Sequence, residues 1–268
     1  MNRREFLAAG VVTASGCAVN PRATGATIVD AHCHAGKGLN FGKDDAAPWT
    51  NYNDPEWILR ADDEAGIHKS VIFPISNSTY EEANREIAGY VRRWPDRFIG
   101  FAKHDAKTEE GKIGEKLRRE VRELGLKGLK LHGTPSREML EAVEELKILI
   151  LFHPGKVADG FPALEAHPRV TFLLAHLGSF ASRDWREHRA AIDATKRYPN
   201  LYLETSSVVF HRYLEEAARE LPHGKLVFGS DGPLVDPRVE LHKIRLLKLA
   251  PDHERQVLGG TILRLLGL

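Results

Sequence analysis

The sequence predicts an α/β fold, a (β/α)8 TIM barrel in a single domain. Eight short apolar runs alternate with helical patterns from about residue 27 to residue 268, which implies a parallel sheet. Eight such units in that length match the size of a closed barrel. Histidines and an aspartate recur at the ends of the runs, the face where barrels gather their chemistry. An open doubly wound sheet would carry a glycine-rich fingerprint after its first strand, and none follows here.

The chain has 268 residues and a formal charge of +1, so nothing in its balance calls for nucleic acid. Residues 1–26 read as an export signal and linker, and residues 27–268 as the barrel. Arg3-Arg4 with a weakly apolar stretch behind it resembles a twin-arginine signal. Ala14-Ser15-Gly16-Cys17 resembles a degenerate lipoprotein box. The expectation is an exported protein, periplasmic or outer-surface, touching a membrane only through a lipid on Cys17. No apolar run is long enough for an ordinary span. The two cysteines are Cys17 and Cys33, so no structural disulfide is expected.

The first strand, Ile28 to His34, ends in His-x-His. Side chains two apart share a strand face, so His32 and His34 point one way with Asp30 below them, and Cys33 points the other. Two imidazoles at a strand end are half of a metal site; the plain alternative is a capped strand end. Ala35–Asn53 reads as a functional loop with Trp49 and Tyr52. Asp54-Pro55-Glu56 starts a helix that stops at Gly66.

Strand and helix then alternate. Strands are expected at 70–73, 97–102, 127–131, 148–152, 169–175, 200–204 and 225–229. Helices are expected at 79–94, 109–124, 136–146, 161–166, 183–198 and 210–221, with a helical end broken at Pro251. Strand three runs into His104, strand four carries Lys130 and His132, and strands five, six and eight end in His153, His176 and Asp231. Val227, Gly229 and Asp231 share a face, and Gly229 leaves room beside a metal. His167, His188, His211, His223, His242 and His253 fall on helices or connections and read as surface residues.

At these motifs the chain resembles the amidohydrolase superfamily, and within it the amidohydrolase-related branch that includes aminocarboxymuconate-semialdehyde decarboxylase. The matching pieces are Asp30–His34, Lys127–His132, Phe152–Gly155, Ala175–Gly178, Asn200–Ser206 and Phe228–Pro233. The resemblance implies that His32, His34, His153 and Asp231 hold one divalent metal, zinc first, with His176 as the catalytic histidine beside them. Asp231 would be ligand and proton acceptor together. A zinc site with an open position activates a water. Lys130 is open between a substrate contact, a structural role and a carboxylated bridge to a second metal. Arg183 reads as a partner for a substrate carboxylate or as a solvated loop residue; Trp49, Tyr52 and Asn77 are further substrate candidates. Homodimers are common in this branch.

Two reactions follow from the same ligands: hydrolysis of a small-molecule amide, ester or lactone, taken first because of the export signal, and non-oxidative decarboxylation of a small carboxylic acid. A non-catalytic binding protein would predict a missing ligand, and none is missing.

Overall fold

The runs rich in β-branched and aromatic residues form strands, and the segments opened by Asp-Pro, Ser or Pro form helices. A computed structural model of the chain describes residues 26–77, 79–109 and 112–268. The export signal and Cys17 lie outside the described residues. In chain order the first half contains β1 (Val29–Lys37), α1 (Pro48–Asn51), β2 (Tyr52–Asn53), α2 (Pro55–Ala65), β3 (Lys69–Pro74), α3 (Glu81–Arg93), β4 (Phe98–Gly100), β5 (Ala102–His104), α4 (Ile113–Leu124) and β6 (Gly128–His132). There follow α5 (Arg137–Leu146), β7 (Leu149–His153), α6 (Phe161–Ala166), β8 (Thr171–Leu174), α7 (Arg186–Arg197), β9 (Leu201–Glu204), α8 (Arg212–Glu220), β10 (Leu226–Val227), α9 (Pro237–Leu246), α10 (Pro251–Arg255) and α11 (Thr261–Leu266).

Two parallel ladders close into the expected (β/α)8 barrel. One runs β1-β3-β4, with β2 antiparallel on its edge, and the other runs β5 through β10 in sequence. β4 and β5 are one strand interrupted at Phe101, whose amide still donates to Ile72 O at 2.9 Å. The seam between the first and last strands is closed by Ala31 N to Phe228 O at 3.0 Å and His34 N to Gly232 O at 2.7 Å.

Alternation along the strands separates two apolar layers. Val29, Ala31, Val71, Phe73, Phe101, Leu151, Leu173 and Val227 fill the barrel interior. Ile28, Cys33, Ile72, Leu129, Leu131, Phe152 and Phe172 pack outward under the helices. The helix signals read in the sequence are used. Asp54 accepts from Glu56 N at 2.9 Å, Ser136 from Met139 N at 3.3 Å, and Gly66 and Gly125 end their helices at φ 76° and 73°.

Three local expectations are corrected. Asp30 does not sit below the histidines. Asp30 pairs with Ser70 and Cys33 with Ile72, so β1 carries one extra residue and its parity flips at Ala31–His32. Asp30 therefore faces outward, accepting from Cys33 Sγ at 3.2 Å and Ser230 N at 2.9 Å. His104 also leaves the active face. It shares parity with outward Ala102, and its ring lies between Glu109 at 3.1 Å and Glu120 at 2.8 Å. His188 and His253 are buried, not on the surface: His188 bonds Ser182 Oγ at 2.8 Å and Leu177 O at 2.9 Å, and His253 stacks on His223.

The His104 cluster has a consequence for stability. Burial opposes its charge, but Glu109 and Glu120 outweigh burial and raise the imidazole to about 9. Its contribution is complete below the unfolded value near 6.5 and is lost as pH rises through 9. His104→Gln is expected to cost on the order of 2 kcal/mol at pH 6 and markedly less at pH 9.5, read from denaturant midpoints at both pH values.

Candidate metal centre

The strand ends deliver the side chains. The bulge in β1 turns His32 and His34 inward, β7 ends in His153, and the turns after β8 and β10 hold His176 and Asp231. His176 and Asp231 both sit at positive φ, 58° and 62°, which a residue with a Cβ keeps only where its surroundings hold it there.

His32 Nε2 and His34 Nε2 each lie 3.3 Å from Asp231 Oδ1. One ligand atom each from His32, His176 and Asp231 fall within 4.8 Å of one another. The His153 ring joins from the side, 4.6 Å from that of His176 between centroids. All five sequence-predicted residues thus surround one space. His176, expected beside the ligands, offers a nitrogen to the same cluster.

Glu204, at the end of β9, fixes how these rings present themselves. Its carboxylate is fully buried and lies 2.9 Å from His32 Nδ1. It also accepts from Ser206 Oγ at 2.8 Å and His176 N at 3.2 Å. A carboxylate only accepts, so His32 carries its proton on Nδ1 and Nε2 is bare. Ser206 spends its proton on Glu204, so it accepts from His176 Nδ1 at 2.9 Å and leaves that Nε2 bare too. The bare His32 Nε2 faces an Asp231 oxygen: two acceptors converge with no proton between them, an arrangement a cation satisfies.

Charge states agree. Burial lowers His32 and His176 well below the ordinary histidine value, lowers His34, and brings His153 to about 4. Neutral imidazoles and an ionised carboxylate are the forms that bind a divalent metal.

Lys130 points into the barrel, its Nζ 3.3 Å from His32 Nε2 and 5.2 Å above the Phe73 ring. Burial brings its ammonium down to about 8, against the pull of Asp231 and Glu204. Beside it, in register on β5, is Lys103, whose buried Nζ has no hydrogen-bond partner among the described residues. A cavity of about 230 Å³ is lined by His34, His132, His153, His176, Asp231, Asn53 and Ser76 and by the apolar Trp49, Ile75, Phe180 and Leu234.

Of the substrate candidates, Trp49 lines this cavity. Arg183 is exposed and lies 5.4 Å over the Phe180 ring at its edge. Tyr52 packs on Phe41 and Asn77 binds Lys37 O at 2.9 Å, both away from the cavity lining. Sequence reasoning missed Glu204, Ser206, Ser207 and Lys103 as site residues. The available signal was Gly229: the room it leaves is taken by Glu204, since a Cβ there would lie 2.8 Å from Glu204 Cδ and 2.9 Å from His32 Cβ. Gly229→Ala is expected to destabilise by about 1–3 kcal/mol and to lower bound metal, checked by thermal unfolding and metal analysis.

The family model described as amidohydrolase matches residues 29–268. No curated protein matches the chain in sequence. Among solved structures, the fold is similar to a dihydroxybenzoic acid decarboxylase from Polaromonas with bound manganese (TM-score 0.70, 17% identity, 91% of this chain and 97% of that one). It is also similar to 5-carboxyvanillate decarboxylase from Sphingomonas paucimobilis (TM-score 0.67, 16% identity, 90% and 99%). A third is a probable 2-pyrone-4,6-dicarboxylic acid hydrolase from Acinetobacter baumannii (TM-score 0.71, 16% identity, 90% and 100%). At such identities these likenesses speak for the fold, while the family model spans the barrel from β1 to the last helix; the chain belongs to the amidohydrolase family of enzymes.

Proposed function

We propose that this enzyme is a metal-dependent decarboxylase of a small carboxylic acid. The observation that carries this reading is the cavity, with its imidazoles and carboxylate and the apolar walls of Trp49, Ile75, Phe180 and Leu234, together with the buried Lys130 against His32 and Lys103 in register with it. His32, His34, His153 and Asp231 would hold one divalent metal, zinc by the chemistry of the donors. When bound, the metal supplies a Lewis acid for substrate oxygens and acidifies a water. The lysines favour an anionic substrate in the same space. The apolar walls strip water from its carboxylate, which favours loss of neutral CO2. His176, its Nε2 bare, and Asp231 are placed to take up a proton and return it to the carbon that CO2 leaves. The decarboxylases among similar folds, one with manganese, support this order over the hydrolysis-first order drawn from the export signal.

Hydrolysis of an ester or lactone is the second reading. The same His176 and Asp231 suit proton transfer to a leaving oxygen, and one similar fold is named a hydrolase. A panel of aromatic carboxylic acids and lactones, followed for CO2 release against acid release on metal-loaded protein, decides between the two. Metal analysis of the wild type is expected to give about one ion per chain, and His32→Ala markedly less; a metal-free wild type, or an unchanged variant, sinks the metal reading. We further propose export through the Arg3-Arg4 leader; mass spectrometry of the mature chain for a start at Cys17 tests lipidation.

A further inference from the structure

Ser207 adopts φ 57°, in the left-handed region that glycine occupies freely and a residue with a Cβ does not. A serine there needs a reason in its hydroxyl. That hydroxyl donates to Asp231 Oδ2 at 2.9 Å. The backbone beneath it is clamped: Ser207 N donates to Glu240 Oε2 at 3.1 Å. Glu240 is buried and paired with Lys243 Nζ at 2.6 Å, and Lys243 in turn donates to Val208 O at 2.9 Å. The clamp therefore runs from α9 through Ser207 to Asp231. It acts on one oxygen of that carboxylate. Oδ1 faces His32 and His34, and Oδ2 faces Ser207. The neighbouring Ser206 hydroxyl serves Glu204, so consecutive serines address the two buried carboxylates of the site.

We propose that Ser207 is a positioning residue for the metal centre: held by Glu240 through its amide, it ties down Asp231 Oδ2 so that Oδ1 alone is offered to the cation. A carboxylate free to turn can present either oxygen or both. One tether on Oδ2 selects the single-oxygen mode and keeps a coordination position open. The inference rests on the reading of Asp231 as a metal ligand.

The test uses the full chain, Co2+ as the probe, and two variants. Ser207→Gly removes the hydroxyl and relieves the backbone. Ser207→Ala removes the hydroxyl and keeps the strain. Both are expected to weaken Co2+ binding by about 10-fold or more in chelator competition and to change the visible Co2+ spectrum, although the metal-free glycine variant melts higher than the alanine one. Equal losses in two variants of unequal stability assign the effect to the hydroxyl. Glu240→Gln is expected to weaken binding less, and to add little on top of Ser207→Gly. Wild-type affinity and spectrum in the glycine and alanine variants overturn the proposal while leaving the metal centre standing. A wild type that takes up no Co2+ overturns the metal reading itself, and the proposal with it.

Discussion

Glu204→Gln is expected to weaken metal binding by about 10- to 100-fold without unfolding the protein. Glu204 Oε2 accepts from His32 Nδ1 at 2.9 Å, Ser206 Oγ at 2.8 Å and His176 N at 3.2 Å, and its Oε1 accepts from Ser206 N. Glutamine keeps the shape but offers one accepting oxygen and a donating amide. With the amide toward His32, the ring must accept at Nδ1 and carry its proton on Nε2, where it points at Asp231 and into the metal position. With the oxygen toward His32, the amide takes the Oε1 place and meets the Ser206 N–H, donor against donor, which pushes the side chain off the bonds that hold His32. The first placement puts a proton where a lone pair is needed, and the second loosens the bond that orients His32. Burial already raises the Glu204 carboxyl, so a neutral group offsets part of the hydrogen bonding lost and the metal-free variant still folds. Chelator competition alongside thermal unfolding of the metal-free protein checks both halves. An unchanged metal affinity sinks the role given to Glu204.

The histidines were legible because a polar residue ending an apolar run stands out in one dimension. His153 on β7, His32 and His34 on β1 and Asp231 after β10 needed only spacing and barrel topology to be brought to one face. Lys130 was placed inward by its parity with Gly128 and His132. At Asp30 what failed was parity carried across an irregularity, and at His104 parity was not applied at all. The bulge in β1 sent Asp30 to the outer side, whereas on the third strand simple alternation, with Ile99 and Phe101 inward and Ala102 outward, puts Lys103 inside and His104 outside. The bulge has no local mark, since no glycine or proline stands at Ala31–His32. Glu204 was hidden for a different reason. Its partner His32 lies 172 residues away, and an acid at the end of an apolar strand has no spacing that names its acceptor role. His188 was misread because its satisfaction comes from the Leu177 carbonyl and the Ser182 hydroxyl, contacts made by the irregular turn after β8.

Lys103→Met is expected to make the protein more stable, by on the order of 3 kcal/mol at pH 6, and to weaken the site. The Lys103 ammonium is buried with no hydrogen-bond partner among the described residues, its Nζ 5.5 Å over the Tyr80 ring, and burial, then Lys130, brings it from 10.5 to about 7 against the pull of Asp105 and Asp231. Below that value the folded chain carries a buried, unpaired cation and the penalty is complete. Between about 7 and 10.5 the unfolded chain holds a proton that the folded one has shed, so wild-type stability rises with pH across that window. Methionine keeps the unbranched stem that packs in the barrel and removes the charge. Its advantage therefore shrinks as pH rises, and denaturant midpoints of the metal-free proteins at pH 6 and 9.5 should converge. Equal midpoints at pH 6 sink the argument. On the proposed reading, a cation kept at such cost in register with Lys130 serves an anionic substrate. Affinity for an isophthalate probe should then fall in Lys103→Met, while a neutral diamide of the same shape binds both proteins alike.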